Sequence, residues 1–209
     1  MRAKKFGVGQ PVTRVEDVRL VTGQGRYTDD HYPQGAAHAF VVRSPHAHAR
    51  FRIADVAAAR AMPGVLLILT HEETKHLGTL PCPGAVENAD GSPMAQPPYP
   101  ALCADMVRHV GDAVAFVVAE TLDQARDAAE AIMIDWEPLD AVVGIEAAGA
   151  DSAPRVWPDM AGNVAFDTEV GDRSATDAAF AGADRVVSLT LVNNRVVTNY
   201  IEPRACVAE

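Results

Sequence analysis

Two histidines that lie close together in the sequence have the type and spacing of metal ligands. His46 and His48 are two residues apart, so in a strand both imidazoles would project from one face, and Asp55 could complete a three-ligand site. Pro45 interrupts such a strand, which favours structural histidines held by hydrogen bonds. His38, in an apolar run, is also interpreted as a core histidine, so no metal ligand is assigned.

A cysteine and a histidine could also act as a nucleophile and its base. Cys103 and His109 would need a mutual geometry that their spacing does not supply, and Cys103 follows a proline-rich segment without the pattern of a nucleophile elbow. The chain has three cysteines, Cys82, Cys103 and Cys206, and no two of them form a Cys-x-x-Cys pair. The sequence therefore lacks the ligand set of a zinc knuckle or an iron–sulfur cluster. We expect three free thiols in a reducing compartment.

The overall composition argues against two classes of partner. The chain has 209 residues, of which 48% are hydrophobic, enough for one large or two small globular domains. Its formal net charge of -10 disfavours binding to a phosphate backbone, and no apolar run approaches the roughly 20 residues that span a bilayer. The basic residues Arg2, Lys4 and Lys5 lack the apolar run of a signal peptide. The sequence predicts a cytoplasmic protein with no nucleic acid and no membrane partner.

The residue pattern of the first third of the chain predicts strands and one short helix. Apolar and β-branched residues predict strands at 36–43 and 50–53, separated by Ser44-Pro45. Asp55 is the predicted N-cap of the helix, and residues 65–70 form a predicted buried strand. This order of strand, helix and strand indicates an α/β or α+β sandwich.

The middle third combines a long loop with a capped helix. Proline-rich residues 78–100 predict a loop that could be a contact surface, and residues 107–119 read as two strands joined by a hairpin or bulge at Gly111-Asp112. Thr121 is the predicted N-cap, with Gln124 as its capping-box partner. The apolar face of the helix comprises Leu122, Ala125, Ala129 and Ile132, and a strand at 134–139 follows.

The last third predicts a linker and the beginning of a second unit. Residues 144–158 are rich in small residues and proline, which is typical of a linker. Residues 164–170 and 185–192 alternate as strands do. Between them, Ser174 is the predicted N-cap of a helix and Gly182 lies just past its end.

Three phrases in the first quarter of the chain resemble one known family. Gly9–Asp17 reads GQPVTRVED, Thr22–Asp30 reads TGQGRYTDD, and Arg43–Ala49 reads RSPHAHA. These are similar to the first segment of the large subunit of molybdenum hydroxylases, which include xanthine dehydrogenase, aldehyde oxidase and aerobic carbon monoxide dehydrogenase. Residues 25–143, with the phrase VGDAVAFVVAETLDQARDAAEAI, resemble the α/β hammerhead domain of that family. Ala113 replaces a proline that is usual there, which removes only a backbone restraint.

The resemblance implies an α+β fold in four segments. An N-terminal extended segment at 1–24 would precede the α/β hammerhead domain at 25–143 and the linker at 144–158. Residues 159–209 would then supply the first strands and helix of a molybdopterin-binding domain, which is incomplete here. The phrase EPRACVA at Glu202–Ala208 resembles a Glu-Pro-Arg phrase of that domain.

The resemblance also implies a function for the complete enzyme. It would be a molybdenum-dependent hydroxylase or dehydrogenase that oxidises an aldehyde, an aromatic heterocycle or carbon monoxide, with molybdopterin as cofactor and iron–sulfur and flavin subunits as partners. The family's pterin loop, its arginine loop over the metal and its glutamate base have no counterpart in this sequence. The glycines at 7–9 and 23–25 are interpreted as turn formers, so we assign no catalytic, cofactor-binding or metal-binding residue.

Two charged residues near the C-terminus have alternative roles. Glu202 and Arg204 either orient a strand toward the molybdenum pocket or form a salt bridge or hydrogen-bond anchor, and the anchor is favoured. The strand edge at 186–207 could pair with the remainder of the molybdopterin-binding domain or with a second copy in a homo-oligomer. The alternative function is a stand-alone binding or scaffold module that keeps the hammerhead fold.

Overall fold

The computed structural model describes residues 13–84, 86–194, 196–200 and 202–208. The chain divides into two compact units, of which the smaller comprises the described residues of Met1–Ala36 and Val187–Glu209 and the larger comprises Ala37–Val186. Within the described ranges, no helix has the length and apolar character needed to cross a bilayer. The N-terminal glycines and basic residues named above lie outside these ranges.

The described residues form six helices and six strands. The helices are α1 (Asp17–Val21), α2 (Ala57–Arg60), α3 (His71–Thr74), α4 (Leu122–Glu130), α5 (Ile145–Gly149) and α6 (Arg173–Ala181). The strands are β1 (His38–Arg43), β2 (Ala49–Asp55), β3 (Val65–Leu69), β4 (Met106–Val107), β5 (Ala113–Ala119) and β6 (Met133–Pro138). Short 3-10 turns lie at Thr28–Asp30 and Lys75–Leu77. The mixed α+β architecture predicted from the sequence is confirmed.

Two small antiparallel sheets organise the larger unit. One sheet has the strand order β1-β5-β3 and the other has the order β4-β2-β6. The predicted strands on either side of Ser44-Pro45 are confirmed as β1 and β2, and the break between them moves the chain from the first sheet to the second. Sheet pairing brings Phe40 and Ile68 beside Val117 in the first sheet, and Phe51 beside Trp136 in the second.

Helix α4 packs on the first sheet through its alanines. Ala125 and Ala128 are fully buried and join a core with Val117 and Ile68. The predicted capping box is confirmed, because the Gln124 N–H donates to Thr121 Oγ1 over 3.2 Å and the Thr121 N–H donates to Gln124 Oε1 over 3.0 Å. Small alanines allow the helix to approach the sheet closely without losing helix propensity.

A second core lies against the β4-β2-β6 sheet. Its buried members are Ala49, Phe51, Cys103, Val107 and Val114. Val42, Ile53 and Ile134 are partly buried and pack against both cores, so they join the two hydrophobic clusters of the larger unit. Fully burying a valine or phenylalanine side chain, as at Val107 and Val114 in this core, contributes about 1.5–3 kcal/mol.

Of the two alternatives predicted at Gly111-Asp112, a hairpin or a bulge, the hairpin is wrong, because β4 and β5 belong to different sheets. The turn pairs with Ser44 instead: the Gly111 N–H donates to the Ser44 carbonyl and the Ser44 N–H donates to the Asp112 carbonyl, both over 2.8 Å. Gly111 has a φ of +91°, which a glycine adopts without strain. A long-range contact between two turns therefore replaces the expected local pairing.

Three local predictions in the larger unit need correction. Strand β3 forms but is only half-buried, with Leu66 57% exposed, because it lies at the edge of its sheet. The N-cap of α2 is Val56, while Asp55 accepts a hydrogen bond from the Ala57 N–H over 2.7 Å. The N-cap of α6 is Asp172 and not Ser174, because the Asp172 carboxylate accepts the Ala175 N–H over 2.9 Å. The predicted end of α6 at Gly182 is confirmed.

The predicted strands at 164–170 and 185–192 are wrong within the described structure. The first segment lies along the proline-rich loop, where Ala95 donates its N–H to the Ala165 carbonyl and Ala89 donates its N–H to the Asp167 carbonyl, both over 2.8 Å. The second segment is exposed and has no ladder partner among the described residues, so it lacks the hydrogen bonds that define a strand.

Candidate functional site

A buried carboxylate is the centre of a polar cluster in the larger unit. Asp112 is 3% exposed and accepts hydrogen bonds from the Tyr99 hydroxyl over 2.6 Å and from the Arg108 N–H over 2.9 Å. His109 Nδ1 lies 3.5 Å from its second oxygen. The turn before β5 supplies Asp112, and the end of the proline-rich loop supplies Tyr99. The carboxylate thereby joins the end of the proline-rich loop to the turn before β5.

The cluster also contains the cysteine that the sequence offered as a nucleophile. Cys103 is buried beside Asp112, and its N–H donates to the Ala113 carbonyl over 2.8 Å. Burial, reinforced by the Asp112 charge and hydrogen bond, raises the pKa of the Cys103 thiol to about 12. The thiol therefore stays protonated near neutral pH, whereas a nucleophilic cysteine needs a lowered pKa. The structure brings Cys103 and His109 to the same carboxylate but leaves the thiol unactivated.

Burial also acts on the phenol of the cluster. It raises the pKa of Tyr99 well above its ordinary range, and the hydrogen bond to Asp112 adds to the effect because it stabilises the protonated phenol. Tyr99 therefore remains a hydrogen-bond donor to Asp112. The arrangement fits a structural junction, since its groups donate to a fixed carboxylate and none is poised to transfer a proton to a ligand.

An arginine and a tryptophan extend this junction into the predicted linker. The Arg108 guanidinium carbon lies 3.6 Å from the ring centroid of Trp157, a cation–π distance. Arg108 also donates from Nε to the Val156 carbonyl over 3.3 Å. Asn163 holds the same segment, because its Oδ1 accepts the Val156 N–H over 2.9 Å and its amide donates to the Pro154 carbonyl over 3.0 Å. Sequence reasoning missed this contact, although a tryptophan within a segment of small residues was a signal.

The two histidines considered as metal ligands have separate structural partners. The His46 ring packs on Trp136 with 5.2 Å between ring centroids. His48 Nδ1 lies 2.9 Å from the Asp140 carbonyl, so its proton is assigned to that nitrogen, and its buried Nε2 has no hydrogen-bond partner within the described part of the chain. No group of three potential metal ligands occurs among the described residues, so His46, His48 and Asp55 do not form a metal triad. His38 begins β1 and pairs with Ala119.

The second candidate near the C-terminus has a defined partner in the smaller unit. The Thr28 N–H donates to Glu202 Oε1 over 2.7 Å, across 174 residues of sequence. Arg204 is exposed. Glu202 therefore forms a hydrogen bond of the kind favoured from the sequence.

A molybdopterin requires a site where glycine-rich backbone can approach the cofactor closely. A groove of about 590 Å³ lies between β1 and α4 and is mostly apolar, with charges only from Arg43, Arg126 and Glu130. No glycine lines it, so no glycine-rich backbone approaches a ligand there. Gly23 has a φ of +72° in a turn, with open space around its Cα. These residues do not fit a pterin cradle.

Comparisons with known proteins agree with the fold. The family model described as aldehyde oxidase and xanthine dehydrogenase, a/b hammerhead domain, matches residues 22–140. The nicotine 6-hydroxylase large subunit of Paenarthrobacter nicotinovorans is 35% identical over 97% of this chain and 24% of its own length. The carbon monoxide dehydrogenase large chain of Afipia carboxidovorans is 36% identical over 99% of this chain and 26% of its own length.

A solved structure gives the same relationship. Quinoline 2-oxidoreductase from Pseudomonas putida 86 matches with a TM-score of 0.65 and 39% identity, covering 75% of this chain and 19% of that one. The chain spans about a quarter of the length of the curated relatives named above. Because the hammerhead match extends over more than half of the chain, the protein belongs to the aldehyde oxidase and xanthine dehydrogenase family.

Proposed function

We propose that this chain is the N-terminal portion of the large subunit of a molybdenum-dependent hydroxylase or dehydrogenase, in which it has a structural and non-catalytic role. The observation that carries the proposal is the match of nearly the whole chain to about a quarter of large subunits that act on nicotine or carbon monoxide. The complete enzyme would oxidise an aldehyde, an aromatic heterocycle or carbon monoxide, and the cytoplasm is its proposed location. Exposed thiols at Cys82 and Cys206 suit a reducing compartment.

The chemistry of the described residues supports a structural role. The Cys103 thiol is held protonated, and the Asp112 carboxylate is occupied by donors of its own chain. In the complete enzyme, molybdopterin would supply the oxidation chemistry. Residues other than those described here would hold this cofactor. The residues of this chain would contribute by packing the hammerhead sheets and by presenting surfaces to the other subunits, for which iron–sulfur and flavin subunits are the proposed partners.

Exposed apolar residues in the smaller unit support a partner surface. Val187, Leu189 and Leu191 are spaced two residues apart, which would place them on one face of a strand, and each is about four-fifths exposed, between 79% and 81%. On α1, Val18 and Val21 are also exposed, at 70% and 83%. Apolar side chains at strand spacing are typical of a segment that is covered by another chain or domain. The proposed occupant is the remainder of the molybdopterin-binding domain, which would pair with this segment as a strand.

Native mass spectrometry with molybdenum analysis tests the proposal on protein purified gently from its source. We expect a complex in which this polypeptide associates with the remaining enzyme subunits at about one molybdenum per complex. A metal-free monomer would contradict the proposal. A metal-free homo-oligomer would contradict it as well, and would assign the apolar segment to contacts between copies.

A stand-alone binding or scaffold module is the second candidate, and one observation favours it. The larger unit has its own two hydrophobic cores, joined by Val42, Ile53 and Ile134, so it has the packing of an independent domain. Limited trypsin digestion distinguishes the two candidates. Rapid cleavage at Arg185 with survival of the larger unit would indicate a tail that requires a partner, whereas a resistant tail would favour the autonomous module.

A further inference from the structure

One residue stands apart in the C-terminal part of the smaller unit. Among the described residues from 187 onward, Glu202 alone is not exposed. Its hydrogen bond with Thr28 is also the one hydrogen bond found among those described residues, which form no helix or strand. A segment of this kind has little to offset its conformational entropy except that contact.

The partner of Glu202 is a turn that is closed by its own hydrogen bonds. The Tyr27 N–H donates to Asp30 Oδ2 over 2.9 Å, and the Asp30 N–H donates to the Tyr27 carbonyl over 3.0 Å. The His31 N–H closes the turn by donating to the Thr28 carbonyl over 3.1 Å. Thr28 is left with a backbone donor that has no acceptor inside the turn, and such a donor needs a partner when it is shielded from water.

We propose that Glu202 is the anchor of the C-terminal segment: its carboxylate binds the Thr28 amide and so fixes residues 202–208 to the Tyr27–Asp30 turn. The turn belongs to the TGQGRYTDD phrase and Glu202 opens the EPRACVA phrase, so the two phrases form the two halves of one contact. Pro203 follows the anchor and restricts the backbone there, which fixes the direction in which the segment leaves the contact.

The contact requires the Thr28 backbone N–H and not the Thr28 side chain. A hydrogen bond to a charged group shifts an opening equilibrium by about tenfold or more. Proline at position 28 removes the N–H but not the turn, because proline is tolerated at the first position of a helical turn. Thr28→Ala is the matched control, since it removes the side chain and keeps the donor.

Trypsin cleavage after Arg204 reports on the anchor in the full 209-residue chain. We expect Thr28→Pro to accelerate this cleavage about tenfold, although the substitution is far from the cleaved bond in sequence, and Thr28→Ala to leave it unchanged. Glu202→Ala should accelerate cleavage similarly, and the double variant Thr28→Pro with Glu202→Ala should add nothing further. Each rate is divided by that of the same variant unfolded in urea, which removes effects on the protease itself.

A second measurement does not depend on the proline variant folding correctly. Amide hydrogen exchange by NMR should show the Thr28 N–H exchanging about tenfold faster in Glu202→Ala than in the unsubstituted chain. Glu202→Gln, which keeps an acceptor oxygen, should restore part of the protection. Unchanged exchange at Thr28 in Glu202→Ala, or equal cleavage after Arg204 in Thr28→Pro and Thr28→Ala, would overturn the proposal. None of these readouts depends on enzyme activity, so the proposed function is tested separately.

Discussion

At the scale of single residues, Asp112 has the most demanding environment of the described chain. A carboxylate that is 3% exposed loses its hydration, and it is tolerated because Tyr99 and Arg108 donate to it. The same environment keeps Cys103 protonated. Cys103, His109 and Asp112 are residue types that could suggest nucleophilic chemistry. Their arrangement is explained instead by the hydrogen bonds that a buried carboxylate requires.

Removing the Asp112 carboxylate should destabilise the protein. We expect Asp112→Ala to lower the free energy of unfolding by about 3 kcal/mol, because the Tyr99 hydroxyl and the Arg108 N–H would both lose their acceptor. Urea denaturation followed by circular dichroism measures the change. Asp105→Ala, at an exposed position, is the control and should change stability by less than about 0.5 kcal/mol. Equal effects of the two substitutions would show that the buried hydrogen bonds contribute little.

The raised pKa of Cys103 predicts both its reactivity and a pH effect. At pH 8 a thiol-specific disulfide reagent should modify Cys82 and Cys206 rapidly, and Cys103 only after unfolding. The thiol pKa rises from an ordinary 9.0 to about 12 on folding, so the folded state retains the proton longer. Its contribution to stability is therefore complete below about pH 9 and is lost as the pH rises toward about 12. Cys103→Ala should remove that part of the alkaline loss, and rapid labelling of all three thiols in the native protein would contradict the assignment.

At the scale of elements, helix α4 connects local sequence signals with tertiary packing. Its capping box of Thr121 and Gln124 forms as the local pattern predicts, and its alanines are buried on the β1-β5-β3 sheet. Gln124 has a second role, because its amide lies where a side chain at Gly64 would be placed. The turn before β3 and the start of α4 therefore restrict each other.

Substitution of Gly64 should reveal that restriction. Gly64 has a φ of +78°, and a Cβ there would collide with the Gln124 amide. We expect Gly64→Ala to cost about 2 kcal/mol of unfolding free energy, from backbone strain together with displacement of the capping side chain. Gly91→Ala is the matched control, because its φ of +81° is similar and its Cβ would meet only a Glu87 oxygen at 3.6 Å. A thermal melt in which both variants shift equally would indicate that only backbone strain matters.

At the scale of the whole molecule, the larger unit is packed and the C-terminal segment is not. The larger unit contains both sheets and both hydrophobic cores, whereas the described residues beyond 186 are exposed except at Glu202. This contrast agrees with a chain that matches about a quarter of its large-subunit relatives. Folding of the segment as a strand would then be coupled to association with the remaining domain.

Charged substitutions in the exposed segment test that coupling. Leu189→Asp with Leu191→Asp should prevent co-purification with the remaining enzyme subunits, because two carboxylates would be buried in an apolar contact. The stability of the isolated chain should change by less than about 0.5 kcal/mol, since both side chains are about four-fifths exposed, at 79% and 80%. Val170→Asp, at an exposed position outside the segment, is the control. Undiminished co-purification of the double variant would place the partner surface elsewhere.

Several features of this protein are determined by local sequence. The strands on either side of Ser44-Pro45 and the capping box at Thr121 follow from alternation and from side chains that bond nearby backbone groups. The phrases at Thr22–Asp30 and Arg43–Ala49 were sufficient to recognise the family, which the hammerhead match confirms. These signals act over a few residues, so they are readable without the fold.

Only the tertiary structure decided which distant groups meet. The turn at Gly111 pairs with Ser44 and not with a neighbouring strand, and Arg108 lies on Trp157. The hydrogen bond between Thr28 and Glu202 spans 174 residues. Sequence alone determined the family and the principal strands and helices of the larger unit, because these depend on local periodicity and capping. The burial of Asp112 and the anchor at Glu202 depend on chain closure over long separations, for which no local pattern exists.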